Sequence, residues 1–391
     1  MRYSTFFLGI GSNQGDRLML LQQAVFAIDE KLGRVISVSS VYETPAIGFE
    51  GTHFLNACLA VETTLSAEEL LGHCLQLELQ AGRDRSKTDG YSDRPLDIDL
   101  LCGPETLNTP TLSLPHPRMQ QRRFVIEPLF QIAPQLVLLN EPISTHKLRL
   151  EKDRSQPIKR VKPGLFANRK SLWQQSETVV LEGCIGVGKS TLCAAISARY
   201  ELEARFEKFD ENPYLERFYN DPKAYALPVE LHFLLDRFDA LKSSKQTRGV
   251  ISDYHLSKSI LFAENNLNAT DFNLFSRYYS WGDRLLKAPG LYVLLENSLE
   301  VILSNIKKRG RTYEQNIDPA YLNAIIDRYR DFIAKQKRWN TLILDLSTFA
   351  PYDTEDFLDQ VIDTLETRLL EITWKKQQGN KMQDKKGLTL F

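Results

Sequence analysis

The segment Gly183-Cys-Ile-Gly-Val-Gly188-Lys189-Ser190 constrains this chain more than any other. A G-x-x-x-x-G-K-S loop works only between a buried strand and a helix, where its backbone N–H groups converge on phosphate at the helix N-terminus. The flanks supply that setting: the apolar run Thr178–Leu181 precedes the loop, and helical spacing begins near Ser190. Further strand candidates at Ala204–Phe206, Val250–Ser252, Leu291–Leu295 and Leu342–Leu346 alternate with long helical stretches. That order predicts an α/β P-loop domain whose parallel sheet is covered on both faces. Gly183, Gly186, Gly188, Lys189, Ser190 and Thr191 are the candidate nucleotide contacts, with Lys189 reaching phosphate and Ser190 reaching Mg²⁺. No Asn-Lys-x-Asp motif is present, which argues against a GTPase.

The first half has no such loop. Its apolar periodicity predicts strands at Phe6–Ile10, Val35–Tyr42, Leu55–Thr63 and Leu96–Leu101, with helices over 16–32, from Ser66 to about Ala81, and over 124–132. Ser66-Ala-Glu-Glu69 reads as a capping box. The order β-α-β-β-α-β predicts an α+β ferredoxin-like sandwich with an added helix. Asp97-Ile-Asp99 puts two carboxylates on one face of a strand, because side chains alternate with period two. Metal would relieve the repulsion between them. Arg83, Arg85, Arg94, Arg122 and Arg123 surround the pair in sequence. Taken alone, the pattern describes a surface salt-bridge network better than a metal site.

With 391 residues, the chain is long enough for two cores. The reading is 1–145 as one domain, 146–175 as a basic linker, 176–370 as the P-loop domain and 371–391 as a disordered tail. The linker assignment rests on nine Lys/Arg against two acids between His146 and Lys170. The net charge of −1 gives no global attraction to nucleic acid or anionic lipid. Five cysteines without C-x-x-C spacing suggest neither a disulfide framework nor zinc, and a reducing cytoplasm is the expected compartment. No apolar run approaches the ~20 residues of a membrane span.

Three segments then become specific. Phe206-Glu207-Lys-Phe-Asp-Glu-Asn-Pro-Tyr-Leu215, Phe218-Tyr219-Asn-Asp-Pro222 and Arg309-Gly-Arg311-Thr-Tyr-Glu314 resemble the deoxynucleoside kinase family, in its bacterial deoxyadenosine/deoxyguanosine branch. The resemblance spans about Val179 to Lys335. It implies Glu207 as the base for the 5′-hydroxyl, and Tyr219 and Glu314 at the sugar. It places Glu230 and Arg237 facing the nucleobase, Arg309 and Arg311 in a lid, and Asp253 beside Mg²⁺. Two departures stand out. Asp253-Tyr254-His255 replaces the family's Asp/Glu-Arg-Ser, so Lys258 or a lid arginine must supply the missing charge. Glu230 stands where relatives commonly have glutamine. An ionised carboxylate only accepts hydrogen bonds, which suits guanine, so deoxyguanosine is the expected substrate.

In the first half, Gly9-Ile-Gly-Ser-Asn13, Ser40-Val-Tyr-Glu-Thr44-Pro45, Phe54-Leu-Asn56, Glu78-Leu-Gln-Ala-Gly82-Arg83, Asp93-Arg94-Pro-Leu-Asp97-Ile-Asp99 and Leu114-Pro115-His116 occur in order. Together they resemble 6-hydroxymethyl-7,8-dihydropterin pyrophosphokinase over about Phe6 to Leu138. That family moves the terminal diphosphate of ATP to a pterin hydroxymethyl group. The resemblance implies Asp97 and Asp99 as Mg²⁺ ligands, Arg83 and Arg94 on the triphosphate, and Glu78 and His116 at ATP. Asn56, Phe54, Phe124 and Thr44 would hold the pterin. The loop at 86–92 departs from the family, with Tyr91-Ser-Asp where relatives often have Trp-Gly-Pro. The chain is therefore expected to be a bifunctional transferase using ATP and Mg²⁺, with a homodimer possible through the kinase half. The alternative is one catalytic half joined to a nucleotide-sensing or scaffold module.

Overall fold

The structure is a computed structural model that describes residues 2–83, 92–209, 211–311, 314, 317–352 and 354–384. The chain divides into two compact units, Met1–Ser171 with Trp374–Phe391, and Leu172–Thr373. Among the described residues no helix is long and apolar enough to cross a membrane.

The first unit is built on strands β1 (Ser4–Ser12), β2 (Arg34–Val38), β3 (Tyr42–Thr44), β4 (Phe54–Thr63) and β5 (Asp97–Cys102). Helices α1 (Arg17–Lys31) and α2 (Ala67–Gln80) lie between them in sequence, and α3 (Arg123–Ile132) and α4 (Ile143–Glu151) follow. The central strands run antiparallel in the order β3-β4-β1-β5, and β2 also pairs with β4. Period-two alternation sorts the side chains into two layers. Phe6, Leu8 and Ile10 of β1 join Leu55, Ala57 and Leu59 of β4 against Leu21, Val25 and Ile28 of α1 and Leu70 and Cys74 of α2. On the other face Cys58 and Leu101 pack with Val125, Ile126 and Leu129 of α3 and Ile143 and Leu150 of α4. The expected capping box forms: the Ser66 hydroxyl accepts from Glu69 N, and the Glu69 carboxylate accepts from Ser66 N.

The basic stretch read as a linker is not one. His146 and Leu150 are buried on α4, and Lys159–Arg160 form a short strand on β3. Phe166 is buried, and the Gln22 side chain of α1 clamps its backbone from both sides. Nε2 donates to Phe166 O and Oε1 accepts from Phe166 N, each at 2.8 Å. The positive charges misled the reading because they occupy the outer positions, several beside local acids. Lys147 pairs with Glu127 and Glu151, Arg149 with Glu141, and Arg169 with Glu30. The apolar residues between them carry the packing. The second unit also begins earlier than expected. Leu172 and Trp173 are buried, with Trp173 Nε1 donating to Glu366 and its ring stacked on Tyr200 at 5.5 Å. The stretch read as a disordered tail from 371 continues the helix Glu355–Asp384, with Ile372 buried. Residues 385–391 lie outside the described residues.

The second unit holds the expected parallel sheet. Its five strands run in the order Glu203–Arg205, Val250–Ser252, Val179–Gly183, Leu291–Glu296, Thr341–Asp345. The unit's first strand in sequence, Val179–Gly183, is central, so the strand order reverses beside it, and ligands of such sheets bind outside the carboxyl ends at that reversal. The phosphate loop, Glu207 and Asp253 all follow carboxyl ends there.

The Gln22 clamp is testable. Gln22→Ala should destabilise the first unit by about 2–4 kcal/mol, because two buried hydrogen bonds are lost and the Phe166 N–H and C=O are left without partners. Denaturant unfolding of the full chain checks this, and an unchanged first-unit transition would place the 152–171 segment outside the cooperative fold.

Candidate active sites

In the second unit a cavity of about 280 Å³ opens between the phosphate loop and the helix Pro222–Ser243. The loop turns through Gly186 and Gly188 at φ 81° and 108°, where a side chain would be strained. A Cβ on Gly186 would also meet the Ile302 carbonyl oxygen at 2.9 Å. Lys189 lies across the loop, its Nζ donating to the carbonyls of Gly183 and Cys184 at 2.8 and 2.9 Å. Burial and the nearby Lys258 charge pull its pKa down to about 8. Phosphate would supply the counter-charge it lacks. The Ser190 hydroxyl contacts Asp253, whose other oxygen accepts from Glu207 N at 2.9 Å. Thr191 is exposed on the first turn of its helix, outside the cavity lining.

Glu207 is pinned between two cations. Arg237 Nε donates to it at 2.7 Å, and Lys258 Nζ contacts its second oxygen. Burial alone would raise its pKa, but Arg237 and Lys258 outweigh burial and hold the carboxyl well below the usual range. Arg237 was expected to face the nucleobase. It lines the same cavity as Glu230, and its guanidinium also donates to the Ser259 hydroxyl at 2.6 Å. Lys258 supplies the charge that Tyr254 does not, and Tyr254 itself is buried. Glu230 and Tyr219 line the cavity as expected, joined by Asn266 and Tyr321. Glu230 Oε1 accepts from Asn266 Nδ2 at 2.7 Å, and burial pushes the carboxyl up to about 7 against the opposing charge of Arg237. The lid arginines converge on Glu314, Arg309 in direct contact and Arg311 at 3.1 Å.

In the first unit, β1 and β5 set the site. Gly11 pairs with both Asp97 and Asn56, so the glycine forms a floor between metal-type and substrate-type residues. A Cβ there would lie 3.0 Å from Asn56 Oδ1 and 3.5 Å from Phe54. Asp97 is gripped by Arg83 at 2.5 Å and Arg94 at 2.7 Å, while Arg122 stands 3.6 Å from Asp99. The two carboxylates separate electrostatically. Burial raises both, but Arg94 and Arg83 bring Asp97 below its usual range, whereas burial and the Asp97 charge push Asp99 up to about 6. That unrelieved repulsion between hard oxygen donors is what a divalent cation neutralises.

The expected pterin residues come together. Thr44, Phe54, Asn56 and Phe124 line one cavity with Arg94, Asp97 and Arg122. It measures only about 40 Å³, because the Arg94 and Arg122 guanidiniums lie over the Phe54 and Phe124 rings at 5.1 and 5.5 Å. Asn56 Nδ2 donates to the Thr44 hydroxyl at 2.9 Å. Glu78 is buried and accepts from Arg83 and from Ile98 N, so it orients the arginine and the strand. His116 is half-buried, its pKa lowered by burial and by Arg122, and lies outside the cavity lining. Asn13 was quoted only as part of a motif. It is buried, accepts from Arg94 N at 2.7 Å and donates to Thr52 O at 3.2 Å, tying β1 to the Arg94 segment. Phe49 and Ile47 also line the cavity and carry no sequence signal beyond being apolar. Arg85 and Tyr91 lie outside the described residues.

Comparison with known proteins divides at the same place. A family model for 7,8-dihydro-6-hydroxymethylpterin-pyrophosphokinase matches residues 7–134, and one for deoxynucleoside kinase matches residues 179–366. A 2-amino-4-hydroxy-6-hydroxymethyldihydropteridine pyrophosphokinase of Porphyromonas gingivalis is 41% identical over 134 residues, 33% of this chain and 91% of its own. A deoxyguanosine kinase of Bacillus subtilis is 32% identical over 156 residues, 39% of this chain and 75% of its own. A solved deoxyadenosine kinase from M. mycoides with bound dATP is 27% identical, covers 48% of this chain and 98% of its own, and has a TM-score of 0.44.

The Glu207 cluster predicts a stability effect independent of catalysis. Glu207→Gln leaves Arg237 and Lys258 buried without their shared counter-charge and should cost about 3–5 kcal/mol. Adding Lys258→Met should recover part of that loss. Thermal unfolding of the three proteins checks it; a double variant no more stable than the single one would mean the cations find other partners.

Proposed function

The chain belongs to two enzyme families, the hydroxymethyldihydropterin pyrophosphokinases over its first half and the deoxynucleoside kinases over its second, and from that premise we propose a bifunctional transferase with one ATP-using site in each unit. The first unit diphosphorylates 6-hydroxymethyl-7,8-dihydropterin in folate biosynthesis. The second phosphorylates the 5′-hydroxyl of a deoxynucleoside in salvage. The observation that carries this reading is that each unit gathers its own acid, cation and aromatic residues around its own cavity. The antiparallel order of β2, β4, β1 and β5, with two helices on one face, supports a ferredoxin-like sandwich for the first unit.

In the first unit the pterin ring would lie between Phe54 and Phe124, displacing the guanidiniums now over those rings. Arg83 and Arg94 would then turn from Asp97 to the triphosphate, exchanging one anion for another. Asp97 and Asp99 are the residues that fit Mg²⁺ there, and Ser190 with Asp253 fit it in the second unit. Among the described residues no three His, Cys, Asp or Glu side chains form a ready metal cage, as suits an ion that substrate phosphates help to hold. When bound, Mg²⁺ neutralises phosphate charge.

In the second unit Lys189 and the loop N–H groups hold the phosphates, and Arg309 and Arg311 close on the transferred group. Tyr219 and Glu314 hold the sugar. Glu207 orients the 5′-hydroxyl by accepting its hydrogen bond. Arg237 and Lys258 fix that carboxylate in place as it takes up the hydroxyl. The sensor reading of this unit rested on Tyr254, and the Lys258–Glu207 pair removes much of its support.

The second unit also supports a homodimer. Leu274, Tyr278 and Trp281 recur at helical spacing on one face of Ala269–Asp283 and are exposed, as is Leu285 just beyond its end. Trp281→Glu should convert a dimer to a monomer in sedimentation velocity. An unchanged sedimentation coefficient, or a monomeric parent protein, would reject this surface.

Separate sites make a crossed prediction. Asp97→Ala should abolish pterin diphosphorylation and leave deoxynucleoside phosphorylation unchanged, and Lys189→Ala should do the reverse. Coupled assays of both reactions on each purified variant check it. Loss of both activities from one substitution in a folded protein would overturn the two-site reading.

A further inference from the structure

We propose that the protonation state of Glu230 selects the nucleobase: ionised, it takes a guanine-type base, and protonated, an adenine-type base. This rests on the deoxynucleoside kinase reading of the second unit and specifies its substrate choice.

The geometry assigns different tasks to the two carboxyl oxygens. Glu230 is 3% exposed on the cavity-lining helix. Oε1 accepts from Asn266 Nδ2 at 2.7 Å, which keeps it an acceptor and directs any proton to Oε2. Among the described residues Oε2 is buried and has no hydrogen-bond partner. A buried polar atom without a partner is unfavourable, and at a cavity wall a ligand can relieve it. Oε2 is thus the atom left for the base. It accepts when the carboxyl is ionised and donates when it is protonated. The purine N1 position asks for the complementary group: guanine carries a hydrogen there, adenine a lone pair.

The surrounding charges leave both forms accessible. On the same helix Arg237 is the nearest cation, but it is spent on Glu207 and Ser259. Glu207, after the second strand, opposes ionisation, and Lys258 on the helix Ser257–Asn266 is paired with Glu207. Tyr219 and Tyr321 line the same cavity, with burial raising the Tyr321 phenol, and Arg309 and Arg311 there both pair with Glu314. Burial outweighs Arg237 and brings the Glu230 carboxyl to about 7, within the working range of pH. A glutamine at this position has no such choice: its amide presents one donor and one acceptor at every pH.

The test is competition between equimolar deoxyguanosine and deoxyadenosine on the full-length protein with ATP, from pH 6 to 8. The product ratio reports the ratio of kcat/KM, so pH effects on shared steps cancel. Because one base uses the ionised and the other the protonated enzyme, the guanine-to-adenine ratio should rise about tenfold per pH unit. Glu230→Gln should make the ratio independent of pH and shift it toward deoxyadenosine. The wild-type series decides by itself if that variant does not fold. A constant wild-type ratio, including exclusive use of one base throughout, overturns the inference and leaves the kinase reading standing. Phosphorylation of neither purine while another deoxynucleoside is accepted overturns the inference alone, and phosphorylation of no deoxynucleoside overturns both.

Discussion

Taking a carboxylate out of water requires a cation within reach, and both units are organised around that requirement. Asp97 is held by Arg83 and Arg94, Glu207 by Arg237 and Lys258, and Glu314 by Arg309 and Arg311. Most of these cations are also the ones a phosphate-transfer site needs. Without ligand they are counter-ions to the site's own acids, so the cavity keeps its charges in position. Binding a polyphosphate then exchanges one anion for another, which is far less costly than exposing an unpaired buried charge. Glu230 differs from Glu207 and Glu314, because its neighbouring arginine is already engaged.

The backbone decides where those pairs can form. In the first unit, strand alternation turns Ile98 into the core while Asp97 and Asp99 face the site, and Gly11 opposite leaves room for Asn56 and Phe54. In the second, parallel strands end together, so the phosphate loop, Glu207 and Asp253 meet although 70 residues separate the first from the last (183 to 253). Buried Glu182 braces this edge. Its carboxylate accepts from His255 N at 2.7 Å and from the Tyr329 hydroxyl at 2.8 Å, fixing the segment that follows Asp253.

Two kinds of information were legible in the linear chain. Local patterns were one: the phosphate loop, the capping box at Ser66, the alternation of β1 and β4, and the D-x-D pair each act over a few residues, so their physics is complete within the segment. Motif order was the other, and it brought Thr44, Phe54, Asn56 and Phe124 to one cavity. The basic stretch after His146 failed for a physical reason. Charge count measures the solvated side of a segment, while packing is set by a few apolar residues such as Leu150 and Phe166 that the count does not see.

The amino-acid sequence by itself determined the central strands and helices of both units and their two phosphate-handling motifs, because periodicity and backbone chemistry are local. Only the tertiary structure decided the partners. It joined Arg237 and Lys258 to Glu207, joined Gln22 to Phe166 across 144 positions, and left Glu230 Oε2 without a hydrogen-bond partner among the described residues. A side chain's charge state and hydrogen-bond partner depend on what is folded within a few ångströms of it, and that distance is not written along the chain.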